Sequence, residues 1–80
     1  MTTFGRVREL LVRVLGVPSE SVTPEMVRSQ FERWDSLNHL TLVMELEGEF
    51  GLSLTLDEMT ALASVRDIIA LVDSKAGSAA

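Results

Sequence analysis

Residues 34–51 read WDSLNHLTLVMELEGEFG, and the reading of this stretch decides the fold. Asp35 has a short carboxylate that accepts hydrogen bonds from the free N–H groups of a helix's first turn, which makes it an N-cap with Ser36 as the first helical residue. Gly51 ends the run, because glycine enters the left-handed conformation without steric cost. The spacing therefore predicts a helix over 36–50. Within it Leu42, Val43, Leu46 and Phe50 recur at intervals of three and four and form a core-facing stripe. Leu37, Leu40 and Met44 form a second apolar stripe turned partly away from the first, and periodicity alone would also allow both to be buried. One primary hydroxyl, that of Ser36, stands at the helix start, where unpaired N–H groups and the positive end of the helix dipole favour an attached anion such as a phosphoester.

Upstream, Thr2 or Thr3 can cap a helix over 4–15, in which Phe4, Val7, Leu11 and Val14, with Leu10 and Leu15 beside them, repeat at helical spacing. Arg6, Arg8 and Arg13 fall on its solvated side. Gly16 stops it, and Pro18 prevents it from restarting. Residues 16–34 form a long connection anchored by Val22, Met26, Phe31 and Trp34. Within this connection Thr23-Pro24-Glu25 has the order of a cap, a first helical residue and a first-turn acid, which predicts a short helical stretch over 26–30.

Downstream, residues 51–56 connect, with Leu52 and Leu54 turned inward. Thr55 and Glu58 have capping-box spacing and open a short helix over 56–62. Ser64 and Asp67 repeat the pattern before a last helix that starts near Val65, turns Ile68, Ile69, Leu71 and Val72 inward and frays by Lys75. The fold class expected is all-α: a small four-helix bundle, three main helices plus one short one, with a long loop between the first two. Residues 1–75 form the domain, and 76–80 a disordered tail.

Eighty residues allow one domain, in which about 60–65% of the unfolded chain's surface is buried. Twelve acids against seven basic residues give a net charge of −5, which repels nucleic-acid phosphates and anionic lipids and favours basic protein partners. Five of the seven basic residues precede Asp35, and from Asp35 to Asp73 only Arg66 opposes the acids, so the second half is the expected docking surface. With no cysteine there are no disulfides, thiolate metal sites or cysteine nucleophile, and a cytoplasmic location is compatible. No apolar run approaches the roughly 18 residues of a membrane span, and no basic segment with an apolar signal core opens the chain, so it is read as soluble and unprocessed. The glycines make no phosphate loop, and the acids lack calcium-loop spacing, so no metal site is expected.

Ser36, His39 and Asp35 contain the groups of a hydrolase triad. All three fall within one helical turn, and no oxyanion hole or substrate pocket is visible around them, so the geometry argues against hydrolysis. His39 is expected at the surface or its boundary, beside Ser36.

The triplet Asp35-Ser36-Leu37, followed by Leu40, Met44, Glu45-Leu46-Glu47 and Phe50-Gly51, resembles the acyl carrier proteins, and the likeness extends over roughly residues 4–73. It implies a non-catalytic carrier in which Ser36 bears 4′-phosphopantetheine, transferred from coenzyme A by a magnesium-dependent phosphopantetheinyl transferase with release of adenosine 3′,5′-bisphosphate. Its terminal thiol would hold acyl or aminoacyl intermediates as thioesters for fatty-acid, polyketide or related pathways. The resemblance also assigns partner recognition to Asp35, Leu37, Leu40, Met44 and Glu47. Partners would be the transferase, a loading enzyme, and synthases or transferases with basic docking surfaces, acting on a monomeric carrier. The chain departs from the usual family pattern in placing Phe31-Glu32-Arg33-Trp34 where a Leu-Gly turn is common, and in having Asn38 and Thr41 where many relatives carry acids. An unmodified acidic interaction domain is the alternative, because every feature except the placement of Ser36 also fits it.

Overall fold

The computed structural model describes residues 2–79, with side chains from 2 to 75. Among the described residues the α-helices are α1 (Thr3–Leu15), α2 (Ser36–Phe50), α3 (Leu56–Ala61) and α4 (Val65–Ala79). Each start is marked by the residue type its free N–H groups require. The Thr2 side chain accepts from Gly5 N–H at 3.0 Å, Asp35 Oδ1 from Asn38 N–H at 2.8 Å, and Ser64 Oγ from Asp67 N–H at 3.1 Å. At α3 the capping box is complete: Thr55 Oγ1 accepts from Glu58 N–H, and Glu58 Oε1 accepts from Thr55 N–H. Gly16 and Gly51 end α1 and α2 at φ of 68° and 63°, a region open to glycine and costly for residues with a Cβ.

The core is built from the inner stripes of these helices. Val7, Leu10, Leu11 and Leu15 of α1 meet Leu42, Val43 and Leu46 of α2, together with Leu62, Val65, Ile68 and Val72 near and on α4. Burial of each such side chain is worth about 1.5–3 kcal/mol, which lets so short a chain hold three helices together. The ends are held by polar contacts. Arg6 Nη2 donates to the Glu49 backbone carbonyl at 2.9 Å and pairs with Glu49 Oε2 at 3.0 Å, while its guanidinium lies 4.3 Å from the centre of the Phe50 ring. The last turn of α2 has no basic residue of its own, so Arg6 supplies from α1 the cation that its C-terminal carbonyls favour.

The connection between α1 and α2 differs from the sequence-based expectation. Thr23-Pro24-Glu25 opens no α-helix: Met26 N–H bonds to the Thr23 carbonyl at 3.0 Å, which closes a turn. Val27 then becomes extended and forms an isolated antiparallel bridge with Ser64, through Arg28 N–H to Ala63 O at 2.8 Å and Val65 N–H to Met26 O at 2.9 Å. These tertiary bonds satisfy the backbone groups that a local helix would have paired internally. Short 3₁₀ turns cover Ser19–Ser21 and Arg28–Gln30, the second being the part of the expected helical stretch over 26–30 that forms. Val22, Met26 and Trp34 are buried as anchors, and Phe31 is partly so.

The backbone of α4 continues past Lys75 to Ala79, beyond the point where fraying was expected. Of the expected tail over 76–80, the backbone of 76–79 is the end of α4, while the side chains of 76–79 and Ala80 altogether lie outside the described residues. No helix among the described residues is long and apolar enough to cross a membrane.

Candidate functional site

Ser36 opens α2 directly after its cap and is exposed to solvent. Its hydroxyl has no hydrogen-bond partner among the described residues. The strand of chain before it is fixed from several sides. Asn38 Nδ2 donates to the Arg33 carbonyl at 2.6 Å, Arg28 Nε donates to the Trp34 carbonyl at 3.1 Å, and the Trp34 side chain is 2% exposed. An exposed alcohol is thus presented outward from a backbone held by hydrogen bonds on several sides.

His39 is buried, not at the surface as expected: it is 8% exposed. The Trp34 indole N–H donates to His39 Nδ1 at 2.9 Å, with the rings near-parallel at a centroid separation of 6.2 Å. An indole nitrogen can only donate, so Nδ1 carries no proton in this arrangement, and Nε2–H donates to the Met59 carbonyl at 2.8 Å. One imidazole therefore joins the long connection, α2 and α3. Both ring nitrogens are engaged, so His39 offers Ser36 no free nitrogen as a base. The presence of a tryptophan five residues before a histidine was visible in the sequence, but their contact across the turn into α2 was not.

Beside Ser36 lies a groove of about 280 Å³ lined by Arg28, Ser36, His39, Leu40, Val43, Leu56, Met59 and Thr60. Its lining comes from α2 and α3, with Arg28 added from the connection between α1 and α2. Arg28 and the α3 residues Leu56, Met59 and Thr60 were not singled out from sequence, because they are remote from Ser36 along the chain and the Val27–Ser64 bridge brings the two regions together. A cavity of about 340 Å³ between α3 and α4 contains no residue of α2 and is separate from this site.

The second apolar stripe of α2 is solvent-facing. Leu37 is 73% exposed, Leu40 52% and Met44 63%, and Leu56 of α3 adds a fourth side chain at 70%. The reading in which both stripes are buried is thereby set aside. Of the flanking acids, Asp35 caps α2, Glu45 pairs with Arg13 at 3.5 Å, and Glu49 pairs with Arg6. Glu47 is half-buried, and its Oε2 accepts from Leu54 N–H at 2.9 Å, which ties the 51–54 loop to α2 and leaves Oε1 for other contacts.

Residues 5–72 match the family described as phosphopantetheine attachment site. The fold is similar to a solution structure of holo acyl carrier protein from Geobacter metallireducens, with a TM-score of 0.85 and 29% identity over 99% of this chain and 91% of that one. The groove fits a group of that kind. A free exposed hydroxyl can take a phosphoester, an arginine lines the same groove, and the mixed apolar and polar lining suits a chain of amides and methyl groups.

Proposed function

The chain belongs to the phosphopantetheine attachment site family and is a non-catalytic carrier of covalently bound phosphopantetheine; we propose that Ser36 is the attachment residue. The observation that carries this proposal is the unpartnered, solvent-facing Ser36 hydroxyl at the capped start of α2, directly against the Arg28–Met59 groove. In the transfer the Ser36 oxygen forms a bond to the β-phosphorus of coenzyme A. The phosphoanhydride bond to the adenosine portion breaks, and the serine proton passes to the modifying enzyme. When bound, the group supplies a terminal thiol that holds an acyl or aminoacyl cargo as a thioester.

This chain's residues contribute tethering and presentation. Attachment to one point converts encounters between cargo and partner into events at high effective concentration. The Leu37, Leu40, Met44 patch, with Asp35 and Glu47 at its edge, is proposed as the surface that docks the transferase, a loading enzyme and basic synthase or transferase partners. Its modest apolar area and acidic rim favour fast, weak association, which successive partners require. Methionine suits such a surface because its unbranched side chain repacks against differently shaped partners. The pathway proposed is fatty-acid, polyketide or related biosynthesis, with the carrier acting as a monomer in the cytoplasm.

The test is intact-mass measurement after incubation with coenzyme A, magnesium and a promiscuous phosphopantetheinyl transferase. The wild-type chain is expected to gain one phosphopantetheine and Ser36→Ala none. Gain by a folded Ser36→Ala variant would move the attachment elsewhere, and no gain by either would favour the unmodified interaction domain.

A further inference from the structure

A phosphodiester on Ser36 adds a negative charge to a chain that already carries −5, and Asp35 is its immediate neighbour. The groove contains one counter-charge. Arg28 is half-buried, lines the cavity with Ser36, and forms no ion pair with any described carboxylate. Its Nε is committed to the Trp34 carbonyl, two residues before the serine, which holds the guanidinium against the chain that leads into α2. The terminal amino groups of Arg28 have no acceptor among the described residues. The other polar groups of the lining are already engaged: both nitrogens of His39 in the contacts above, and Thr60 Oγ1 in donating to the Asp57 carbonyl at 3.0 Å. A partly desolvated guanidinium with unspent N–H donors is the group best matched to a phosphate's paired anionic oxygens.

Given Ser36 as the attachment residue, we propose that Arg28 is a positioning residue that binds the phosphodiester of the attached group and so directs the arm along the α2–α3 groove instead of leaving it free in solvent. Two roles follow for one side chain: Nε holds the backbone that leads into α2, and the terminal amino groups hold what is attached there. The first operates with or without the prosthetic group, the second only after modification.

This difference makes the proposal testable on apo and holo forms of wild type, Arg28→Gln and Arg28→Lys. Conversion is first verified by mass, and a wild-type chain that gains nothing at Ser36 would overturn the attachment proposal, and this one with it. With conversion established, the holo wild type is expected to melt about 4 °C above the apo form, an increment lost in Arg28→Gln and partly kept in Arg28→Lys, at low salt. Its phosphorus-31 resonance should shift between holo wild type and holo Arg28→Gln. Equal destabilisation of apo and holo Arg28→Gln with an unchanged phosphorus resonance would reduce Arg28 to its bond with Trp34 and overturn the proposal. So would an Arg28 effect confined to protein loaded with a carboxylate-bearing cargo such as malonyl, which would assign the guanidinium to the cargo. If Arg28→Gln does not fold, arginine-selective nitrogen-15 spectra of the wild type decide: the Arg28 N–H resonances must move on conversion from apo to holo, and unmoved resonances refute the contact.

Discussion

Replacing His39 with leucine tests whether the buried imidazole joins the long connection, α2 and α3. The substitution retains much of the side-chain volume and removes both imidazole contacts, leaving the Trp34 indole N–H without an acceptor and the Met59 carbonyl with only the longer bond from Leu62 N–H at 3.4 Å. A buried polar group stripped of its partner costs about 1–3 kcal/mol. Trp34 is 2% exposed, so its N–H falls at the upper end, whereas Met59 is half-buried and its carbonyl can regain water, placing it at the lower end. Together they come to about 3–4 kcal/mol, from which burial of the more apolar leucine offsets about 1 kcal/mol. A net loss of about 2–3 kcal/mol is a large share of the roughly 4–12 kcal/mol expected for a domain of this length. At about 4–8 °C per kcal/mol, the melting temperature should fall by about 10–20 °C. Far-ultraviolet circular dichroism of the apo-protein under heat and urea gives the measurement. Adding Trp34→Phe to His39→Leu removes the orphaned donor, so the double variant should be less destabilised than the two single losses summed, by about 1 kcal/mol. A His39→Leu variant within about 0.5 kcal/mol of wild type, or strictly additive losses in the cycle, would refute this role for the imidazole.

Leu37→Asp and Met44→Arg should each change stability by less than about 0.5 kcal/mol, since both side chains are exposed, while slowing transfer between partner enzymes; marked unfolding of both would mean that the stripe belongs to the core. Glu58 is held below its ordinary carboxylate range, first by the hydrogen bond from the Thr55 backbone and then by Lys75 at 3.0 Å. A pKa lowered on folding contributes stability that is present above the unfolded value and lost as pH falls through the folded one. Urea midpoints should therefore decline on acidification below the ordinary value of 4.5, and Glu58→Gln should flatten that decline; an identical acid slope in the variant would remove Glu58 as a contributor.

The helices were legible because their signals are local. Thr2, Asp35, Thr55 and Ser64 act on N–H groups three residues away, and Gly16 and Gly51 act on their own backbone. The exposed position of Leu37, Leu40 and Met44 was half legible: their spacing separated them from the core stripe, but only packing could show that nothing covers them. The helical stretch expected over 26–30 is confined to a 3₁₀ turn at Arg28–Gln30, because the competing interaction, pairing of Val27 with Ser64, lies 37 residues along the chain and leaves no periodic trace. The same bridge brings Arg28 toward Ser36 and α3, so the groove was hidden for the same reason. His39 was placed at the boundary because a polar residue on a mixed helix face is usually solvated; Trp34 and Met59 supply the two partners that make its burial tolerable.

The grip of Arg6 on Glu49 and Phe50 has a consequence at the opposite end of the rod. With its far terminus tied to α1, α2 is already ordered when any partner proposed for Ser36 and the following turn arrives. Ordering costs that would otherwise weaken each brief encounter are met once, during folding, and are spread over every later visit.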